Sequence, residues 1–206
     1  MEELIVKKAK DLFFSYGLKG VSMDDIAKHA GVSKKTIYKS FEDKNQLVQR
    51  LVSDLLRCYE QAIEQCKTEA NDAIDEVILF TQIPFNTVAV INACFFYELE
   101  KFFPSVYELI VEYRQKVLIP TVIANLKKGI DEAVYRPNLD LPFIADVRIQ
   151  QVLTALNPKT FTSRQQQGNT LILQLSELYL HAIATEKGKK LINKYLNVNN
   201  ENQFSN

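Results

Sequence analysis

The sequence HAGVSKKTIYKSFEDKN, residues 29–45, places a glycine and a serine between two short helical patterns. A turn of three to four residues that contains glycine is typical of a helix-turn-helix. Gly31 can adopt the left-handed backbone conformation that such a turn needs. Ser33 can cap the helix that follows, through its hydroxyl oxygen. We therefore predict a helix-turn-helix motif over residues 22–41.

The second helix of this motif has two different faces. Ile37 and Phe41 are four residues apart, so both point inward and pack with Val32 beneath the turn. The opposite face carries groups suited to DNA, namely Lys34, Lys35, Thr36, Tyr38 and Lys39. Lysine neutralises phosphates and can donate to guanine, and hydroxyls can bond phosphate oxygens. A lysine-rich helix on its own is more simply a solvated surface, and the preceding turn is what favours DNA binding.

The segments around the motif also read as helices. EELIVKKAKDLFFSY (residues 2–16) has one apolar face and is followed by Gly17. Ser22 and Asp25 form the pattern of a capping box at the start of the next helix. Asp43 precedes a pattern that continues at helical spacing to Cys66. We expect that long helix to run unbroken, without a flexible linker.

Beyond residue 68 the chain is again helical, and no sustained period-two pattern of a strand occurs. One interruption is expected at Pro120, inside a long helical pattern. The predicted helical segments are residues 72–85, 86–103, 105–129, 143–156, 163–184 and 186–196. The polar residues 198–206 predict a disordered tail. The predicted fold class is therefore all-α.

Composition limits the cellular context. The chain has 206 residues, of which 47% are hydrophobic and 24% charged, so it can bury a core. Its three cysteines have no CxxC spacing, and no secretion signal is visible at the N-terminus. The longest apolar run, VAVINACFF, is too short for a membrane span. These features favour a cytoplasmic protein that has no contact with a membrane.

VSMDDIAKHAGVSKKTIYKSFEDKNQLV, residues 21–48, resembles the DNA-binding segment of the tetracycline-repressor (TetR) family of bacterial regulators. With LFFSYGLKGVSM before it, the resemblance covers residues 4 to about 55. It implies an N-terminal three-helix DNA-binding domain, residues 1–58, joined by a continuous helix to a larger helical effector-binding and dimerisation domain, residues 59–197. The implied function is a homodimeric repressor that leaves a palindromic operator when a small apolar or aromatic effector binds.

The resemblance also implies roles for single residues. Lys34 and Lys35 would contact bases or the DNA backbone, and Thr36 and Tyr38 would contact phosphate. Ser22 would be a further phosphate contact, and Lys44 would hold the start of the long helix against the DNA backbone. The complete predicted DNA-binding set is Ser22, Ser33, Lys34, Lys35, Thr36, Tyr38, Lys39 and Lys44.

The pattern of the C-terminal helices suggests how two chains could associate. Residues 171–184 are apolar on two sides, and residues 143–156 are also rich in apolar positions. Two such helices from each of two chains could form a four-helix interface. The alternative is that both are core helices of a monomer.

An effector site is predicted among the aromatic residues in the middle of the chain. The candidate residues are Phe80, Phe85, Asn92, Phe95, Phe96, Phe103, Tyr107, Tyr113 and His181. Aromatic residues at helical spacing usually belong to a core, and we expect packing to account for most of this set.

Two other classes of function were weighed. An enzyme is disfavoured because the sequence has no phosphate-binding glycine loop, metal-spaced Cys/His set or nucleophile motif, so no catalytic residue, metal or cofactor is predicted. The alternative is an architectural DNA-binding protein that needs no ligand, which would bind DNA without sequence preference.

Overall fold

The structure is a computed structural model that describes residues 1–89, 91, 94–155 and 168–203, with side chains described in these ranges outside 84–89, 168–170 and 197–203. Within these ranges the regular secondary structure is helical, as predicted, and one isolated bridge joins Tyr135 to Ala184. The N-terminal helices are α1 (Glu2–Tyr16), α2 (Met23–Ala30), α3 (Lys34–Ser40) and α4 (Lys44–Glu69).

The middle of the chain forms α5 (Ala73–Ala89), α6 (Cys94–Phe102) and α7 (Pro104–Tyr113). A π-helical segment, Arg114–Leu118, leads into α8 (Ile119–Asp131). The C-terminal helices are α9 (Leu141–Ala155), α10 (Gly168–Ile183) and α11 (Glu186–Gln203).

The first of two compact units comprises Met1–Glu60 and Val90–Arg114, so α6 and α7 belong with the N-terminal helices. Their side chains Phe95, Leu99 and Val106 are buried in the same core as the apolar faces of α1–α4. The Phe95 ring meets Phe14 of α1 edge to face, with centroids 5.5 Å apart. Burying one large apolar side chain stabilises a fold by about 1.5–3 kcal/mol, so α6 and α7 contribute substantially to this unit.

The second unit comprises Gln61–Ala89 and Gln115–Asn206. Hydrogen bonds fix the start of α5 in this unit, because the Ala73 carbonyl accepts from the Tyr135 hydroxyl and from Asn125 Nδ2, each at 2.9 Å. Tyr135 is fully buried and lies against Gly129, where a Cβ would come within 2.0 Å of the tyrosine ring. Burial raises the pKa of the Tyr135 hydroxyl, which therefore remains a donor. Glycine at 129 is thus needed for this packing.

The interruption predicted at Pro120 is confirmed. Proline has no backbone N–H, and its ring crowds the carbonyl four residues earlier, so a regular α-helix is disturbed just before it. The π-helical segment Arg114–Leu118 occupies this position. Pro104, by contrast, is the first residue of α7, where a missing N–H costs nothing.

Two predicted boundaries are wrong. The prediction separated helices at residues 85 and 86, but α5 continues past Pro84 to Ala89. Ile74, Val77 and Ile78 of α5 are buried in the core of the second unit, and this packing outweighs one lost hydrogen bond. The last helix was predicted to end at residue 196 and a tail to begin at 198, but α11 continues to Gln203. Each asparagine costs a helix less than about 0.7 kcal/mol, which does not end it.

The two units also differ from the predicted domains, residues 1–58 and 59–197. The first stretch of the N-terminal unit ends close to the predicted boundary, but the prediction assigned Val90–Arg114 to the C-terminal domain. The difference arises from the packing of α6 and α7 on the core of the first unit. Among the described helices, none is both long enough and apolar enough to span a membrane.

Candidate nucleic-acid interface

The start of α2 is fixed by a reciprocal cap. Ser22 Oγ accepts from the Asp25 amide at 3.2 Å, and the Asp25 carboxylate accepts from the Ser22 amide at 2.8 Å. The Ser22 hydroxyl also donates to Asp25 Oδ2 at 2.6 Å, and these hydrogen bonds hold the pKa of Asp25 below its usual value. The predicted capping box is confirmed. Because its hydroxyl proton is already used, Ser22 must release Asp25 before it can donate to phosphate.

The turn between α2 and α3 follows from the glycine at its centre. Gly31 has a φ of 67° and a ψ of 29°, which is the left-handed region. The Val32 amide then donates to the Ala27 carbonyl at 3.0 Å, and Ala27 is buried. The Val32 side chain packs, partly buried, against the core of the first unit. The predicted helix-turn-helix is therefore present.

Helix α3 presents the predicted face. Ser33 Oγ accepts from the Thr36 amide at 3.1 Å and caps the helix, and the Ser33 and Thr36 hydroxyls are 2.8 Å apart. Ile37 is fully buried, and Phe41, which follows the helix, is buried as well. The side chains on the other face are exposed, namely Lys34, Lys35, Tyr38 and Lys39. Thr36 is half-buried.

The lysines of this face differ in their surroundings. Lys34 Nζ lies 2.9 Å from Asp24 Oδ2, across the angle between α2 and α3. The hydrogen bond to Asp24 and its negative charge raise the pKa of Lys34. Within the described part of the chain, Lys35 and Lys39 form no comparable ion pair. The face therefore combines one paired lysine with two that point into solvent.

Lys44, at the start of α4, is half-buried, in contrast to the lysines of α3. Its ammonium donates to the Leu18 carbonyl and lies 5.6 Å from the ring centroid of Phe13 and 5.9 Å from that of Phe103. Burial lowers the pKa of Lys44, while the nearby Glu98 carboxylate opposes that shift. An ammonium has three N–H donors, so one bond to Leu18 leaves two for another acceptor.

The residues predicted to contact an effector are distributed over both units. Phe95 is buried in the core of the first unit, and Phe96, Phe103 and Tyr107 pack against that core. Tyr113 meets Tyr59 edge to face at 6.4 Å. The five aromatic candidates in this unit therefore all pack with neighbouring apolar or aromatic side chains.

Of the remaining effector candidates, Phe80 and His181 are half-buried residues of the second unit. Phe85 and Asn92 lie outside the residues whose side chains are described. The second unit also has an open groove of about 360 Å³ along α9 and α10, which none of the predicted effector residues lines. Its lining residues are Phe143, Asp146, Val147, Gln150, Gln151, Thr154 and Leu175.

The sequence analysis missed two acidic residues near the helix-turn-helix. Asp24 pairs with Lys34 although ten positions separate them, and Glu98 accepts from the Lys19 amide across 79 positions. Asp24 could have been found by placing both helices of the motif in space, because opposite charges at the first turns of α2 and α3 come together there. No local signal points to Glu98.

Residues 5–51 match the sequence model of the tetR family of bacterial regulatory proteins, and this segment forms α1, α2, α3 and the start of α4. This N-terminal segment is a DNA-binding domain of the TetR family. TetR-family proteins are DNA-binding transcriptional regulators and not enzymes, in agreement with the expectation from the sequence.

Comparison with single TetR-family relatives and with solved structures extends the match over most of the chain. It is 22% identical over 188 residues to IcaR of Staphylococcus aureus, a negative transcriptional regulator of the biofilm operon icaADBC, covering 91% of this chain and 87% of IcaR. The ketosteroid transcriptional regulator KstR2 of Mycobacterium tuberculosis has a TM-score of 0.67 at 18% identity, covering 90% of this chain and 95% of KstR2. The fatty acid degradation regulator FadR of Bacillus halodurans has a TM-score of 0.69 at 16% identity, covering 87% and 94%.

Proposed function

We propose that this TetR-family regulator is a homodimeric repressor that reads a palindromic operator through α3 and releases it when a small apolar molecule binds. The proposal of sequence-specific DNA binding rests on the exposed face of α3. Lys35, Tyr38 and Lys39 point into solvent on that face, while the buried Ile37 anchors its other side. A helix held in this way can enter the major groove without disturbing the core behind it.

The chemistry of this face fits duplex DNA. A lysine at the start of the recognition helix can donate to guanine O6 or N7, and lysines further along it neutralise phosphates. The Tyr38 hydroxyl can donate to a phosphate oxygen, and the ring is 44% exposed and so can approach the DNA. Lys44 adds a half-buried ammonium at the start of α4 with two donors left for phosphate.

The proposal of a homodimer rests on the apolar surface of α9 and α10. Phe143 is 61% exposed, Leu153 44% and Leu178 65%. The other side of α10 is buried in its own unit, through Ile172, Tyr179 and Ile183. This distribution matches the two-sided pattern in the sequence. Exposed apolar side chains on neighbouring helices suit a surface that binds another protein, and a second copy could cover these by two-fold symmetry.

A two-fold symmetric dimer requires a symmetric site on DNA. Two recognition helices related by the dyad would contact half-sites about one helical turn apart, or a multiple of it, so the operator would be a palindrome or near-palindrome. Repression is the proposed outcome of binding, and IcaR, whose name describes a negative regulator, supports it.

Response to a small apolar effector is the third part of the proposal. The names of KstR2 and FadR describe a ketosteroid transcriptional regulator and a fatty acid degradation regulator, and both share this fold.

Helix α4 runs unbroken from Lys44 to Glu69, with residues in both units. A ligand can shift a two-state population from 1:99 to 99:1 only if it prefers one state by about 5.5 kcal/mol. We place the effector in the second unit, where Phe80 and His181 are half-buried.

Selection of bound sequences from random duplex DNA tests the DNA-reading proposal. We expect recovery of an inverted repeat that is bound several kcal/mol more tightly than a scrambled duplex of equal length. Recovery of sequences without a common pattern would instead indicate the architectural alternative, in which the protein binds DNA without reading it.

The effector proposal is tested by the reciprocity of linked binding. Palmitate and a ketosteroid are suitable first probes, titrated calorimetrically in the presence and absence of the selected DNA. The factor by which the probe weakens DNA binding must equal the factor by which DNA weakens probe binding. A probe that binds with equal affinity in both titrations does not act as an inducer.

A further inference from the structure

The ion pair between Asp24 and Lys34 joins the first turns of the two helices of the helix-turn-helix. Asp24 belongs to the first turn of α2, and Lys34 is the first residue of α3. Their charged atoms are 2.9 Å apart although both side chains are more than half exposed. The carboxylate therefore stands on the surface that approaches the negatively charged phosphates.

The pair changes what Lys34 can contribute to DNA binding. A lysine increases non-specific affinity because it neutralises a phosphate and releases a counterion. Asp24 already neutralises Lys34, and its own negative charge opposes the approach of a phosphate. A neutral acceptor on a base edge suffers no such repulsion. The Lys34 ammonium keeps two N–H donors beside the one given to Asp24, so it can bind a base without leaving the carboxylate.

The pair also restricts where the ammonium can be. A lysine side chain has a flexible four-carbon stem, and ordering it costs up to about 2 kcal/mol of rotamer entropy. The hydrogen bond to Asp24 favours one position of Nζ in the unbound protein, whereas Lys35 and Lys39 have no ion pair among the described residues. Lys34 is thus the lysine of α3 whose position is restricted before DNA arrives.

We propose that Asp24 is a specificity-determining residue, which holds Lys34 for a base contact and lowers the affinity for non-specific DNA. This inference rests on the proposed DNA-reading role of α3. Asp24 would thus improve discrimination between DNA sequences while it lowers the total affinity for DNA. The quantity to measure is the specificity ratio, which is the affinity for selected DNA divided by the affinity for scrambled DNA.

The test compares the full-length wild-type chain with Asp24→Asn, using the selected duplex and a scrambled duplex of equal length. Asparagine preserves the shape and can still stand in the first turn of α2. We expect the affinity for the scrambled duplex to rise about two- to fivefold, which is the effect of removing one exposed charge. The specificity ratio should fall by at least the same factor. The salt slope of non-specific binding should steepen by about one unit.

Two further variants test whether the effect of Asp24→Asn depends on its ion pair with Lys34. In a Lys34→Gln background, Asp24→Asn should no longer change the ratio, because its effect acts through Lys34. Asp11→Asn, which removes an exposed carboxylate from α1, is the matched control for total charge and should leave the ratio unchanged. Thermal unfolding of each variant confirms that the fold is retained.

The outcomes separate the inference from the function on which it rests. A wild-type protein without sequence preference overturns the proposed DNA-reading role. A wild-type protein that prefers the selected duplex, with an Asp24→Asn ratio equal to its own, overturns the role of Asp24 alone. An effect of Asp24→Asn that persists in the Lys34→Gln background overturns it as well, because the carboxylate would then act by general repulsion.

Discussion

The carboxylate of Glu98 on α6 accepts a hydrogen bond from the backbone amide of Lys19, with 2.8 Å between the two atoms. Lys19 lies in the loop between α1 and α2, just ahead of the helix-turn-helix. A Cβ at Gly17 would lie 2.8 Å from Glu98 Oε2, so a side chain at this position would displace the carboxylate. Glu98 therefore attaches α6 to the loop that precedes the DNA-facing helices.

Glu98→Ala is expected to destabilise the protein by about 0.5–1.5 kcal/mol, because it removes one exposed hydrogen bond and water can then solvate the Lys19 amide. Urea unfolding of the whole chain, followed by far-UV circular dichroism, measures the change in the free energy of unfolding. Glu100→Ala is the matched control on the same helix, where the side chain is exposed, and it should have little effect. Equal stability of the two variants would show that the bond to Lys19 contributes nothing.

Lys35→Ala is expected to relax sequence preference. Lys35 is exposed on α3, and loss of a base contact of this kind costs about 1–3 kcal/mol at one position of the site. The measurement is repeated selection from random DNA, with affinities for single-base variants of the recovered site. Lys190→Ala removes an exposed lysine of the second unit and is the control for total charge. An unchanged preference in Lys35→Ala would remove Lys35 from the base-reading set.

Lys44→Ala should affect both stability and DNA binding. The variant loses a hydrogen bond to Leu18 and two ring contacts, for which we expect a loss of about 1–2 kcal/mol in the free energy of unfolding. Loss of one phosphate contact should weaken binding to all sequences alike and reduce the salt slope by about one unit. A salt slope equal to that of the wild type would limit Lys44 to its structural role.

Leu178→Glu should separate the subunits of a dimer formed through α9 and α10. Leu178 is 65% exposed in the single chain, so a glutamate there is tolerated in the monomer but would be buried in the interface. Sedimentation velocity at micromolar concentration measures the effect. Leu4→Glu, at a position 41% exposed on α1, is the matched control. A wild-type chain that sediments as a monomer would contradict the dimer itself.

The three cysteines should differ in reactivity. Cys66 is fully buried, and burial raises the pKa of its thiol to about 11, so at pH 8 only about one molecule in a thousand carries the reactive thiolate. Cys58 and Cys94 are exposed. A chromogenic disulfide should therefore label Cys66 only after unfolding in urea.

The raised pKa of Cys66 also predicts a dependence of stability on pH. The unfolded chain loses this proton above about pH 9 and the folded chain only near 11, so the contribution of the thiol to stability falls across that interval. Cys66→Ala should remove this part of the pH dependence. Rapid labelling of the folded protein that carries both Cys58→Ser and Cys94→Ser would show that the site of Cys66 opens to solvent.

The helix-turn-helix could be predicted closely from the sequence because its geometry is set by local chemistry. Ser22, Gly31 and Ser33 act within three to four residues of their partners, and those spacings are visible in the sequence. The alternation of Ile37 with exposed lysines follows from the helical period alone. Exposure of the α3 side chains could therefore be predicted residue by residue, whereas the ion pair of Lys34 with Asp24 could not.

The positions of α6 and α7 could not be predicted in the same way. Phe95 and Phe103 were proposed as effector contacts, because an apolar helix face has the same pattern whether it lines a cavity or a core. Only contacts with α1 and α4, far away in sequence, show that these rings pack in the first unit. The half-buried state of Lys44 depends on the Leu18 carbonyl and on Phe103, and no short-range pattern indicates either.

The first unit is formed by two separate stretches of the chain, which the ribosome synthesises at different times. The chain emerges from its N-terminus, so the helices that face DNA appear well before α6 and α7. Until residue 106 has emerged, the core around Phe14 lacks Phe95, Leu99 and Val106, and its apolar surface is uncovered. A nascent chain that ends near Glu60 is therefore an incomplete folding unit. The helix-turn-helix reaches its final stability only after Val106 has been made.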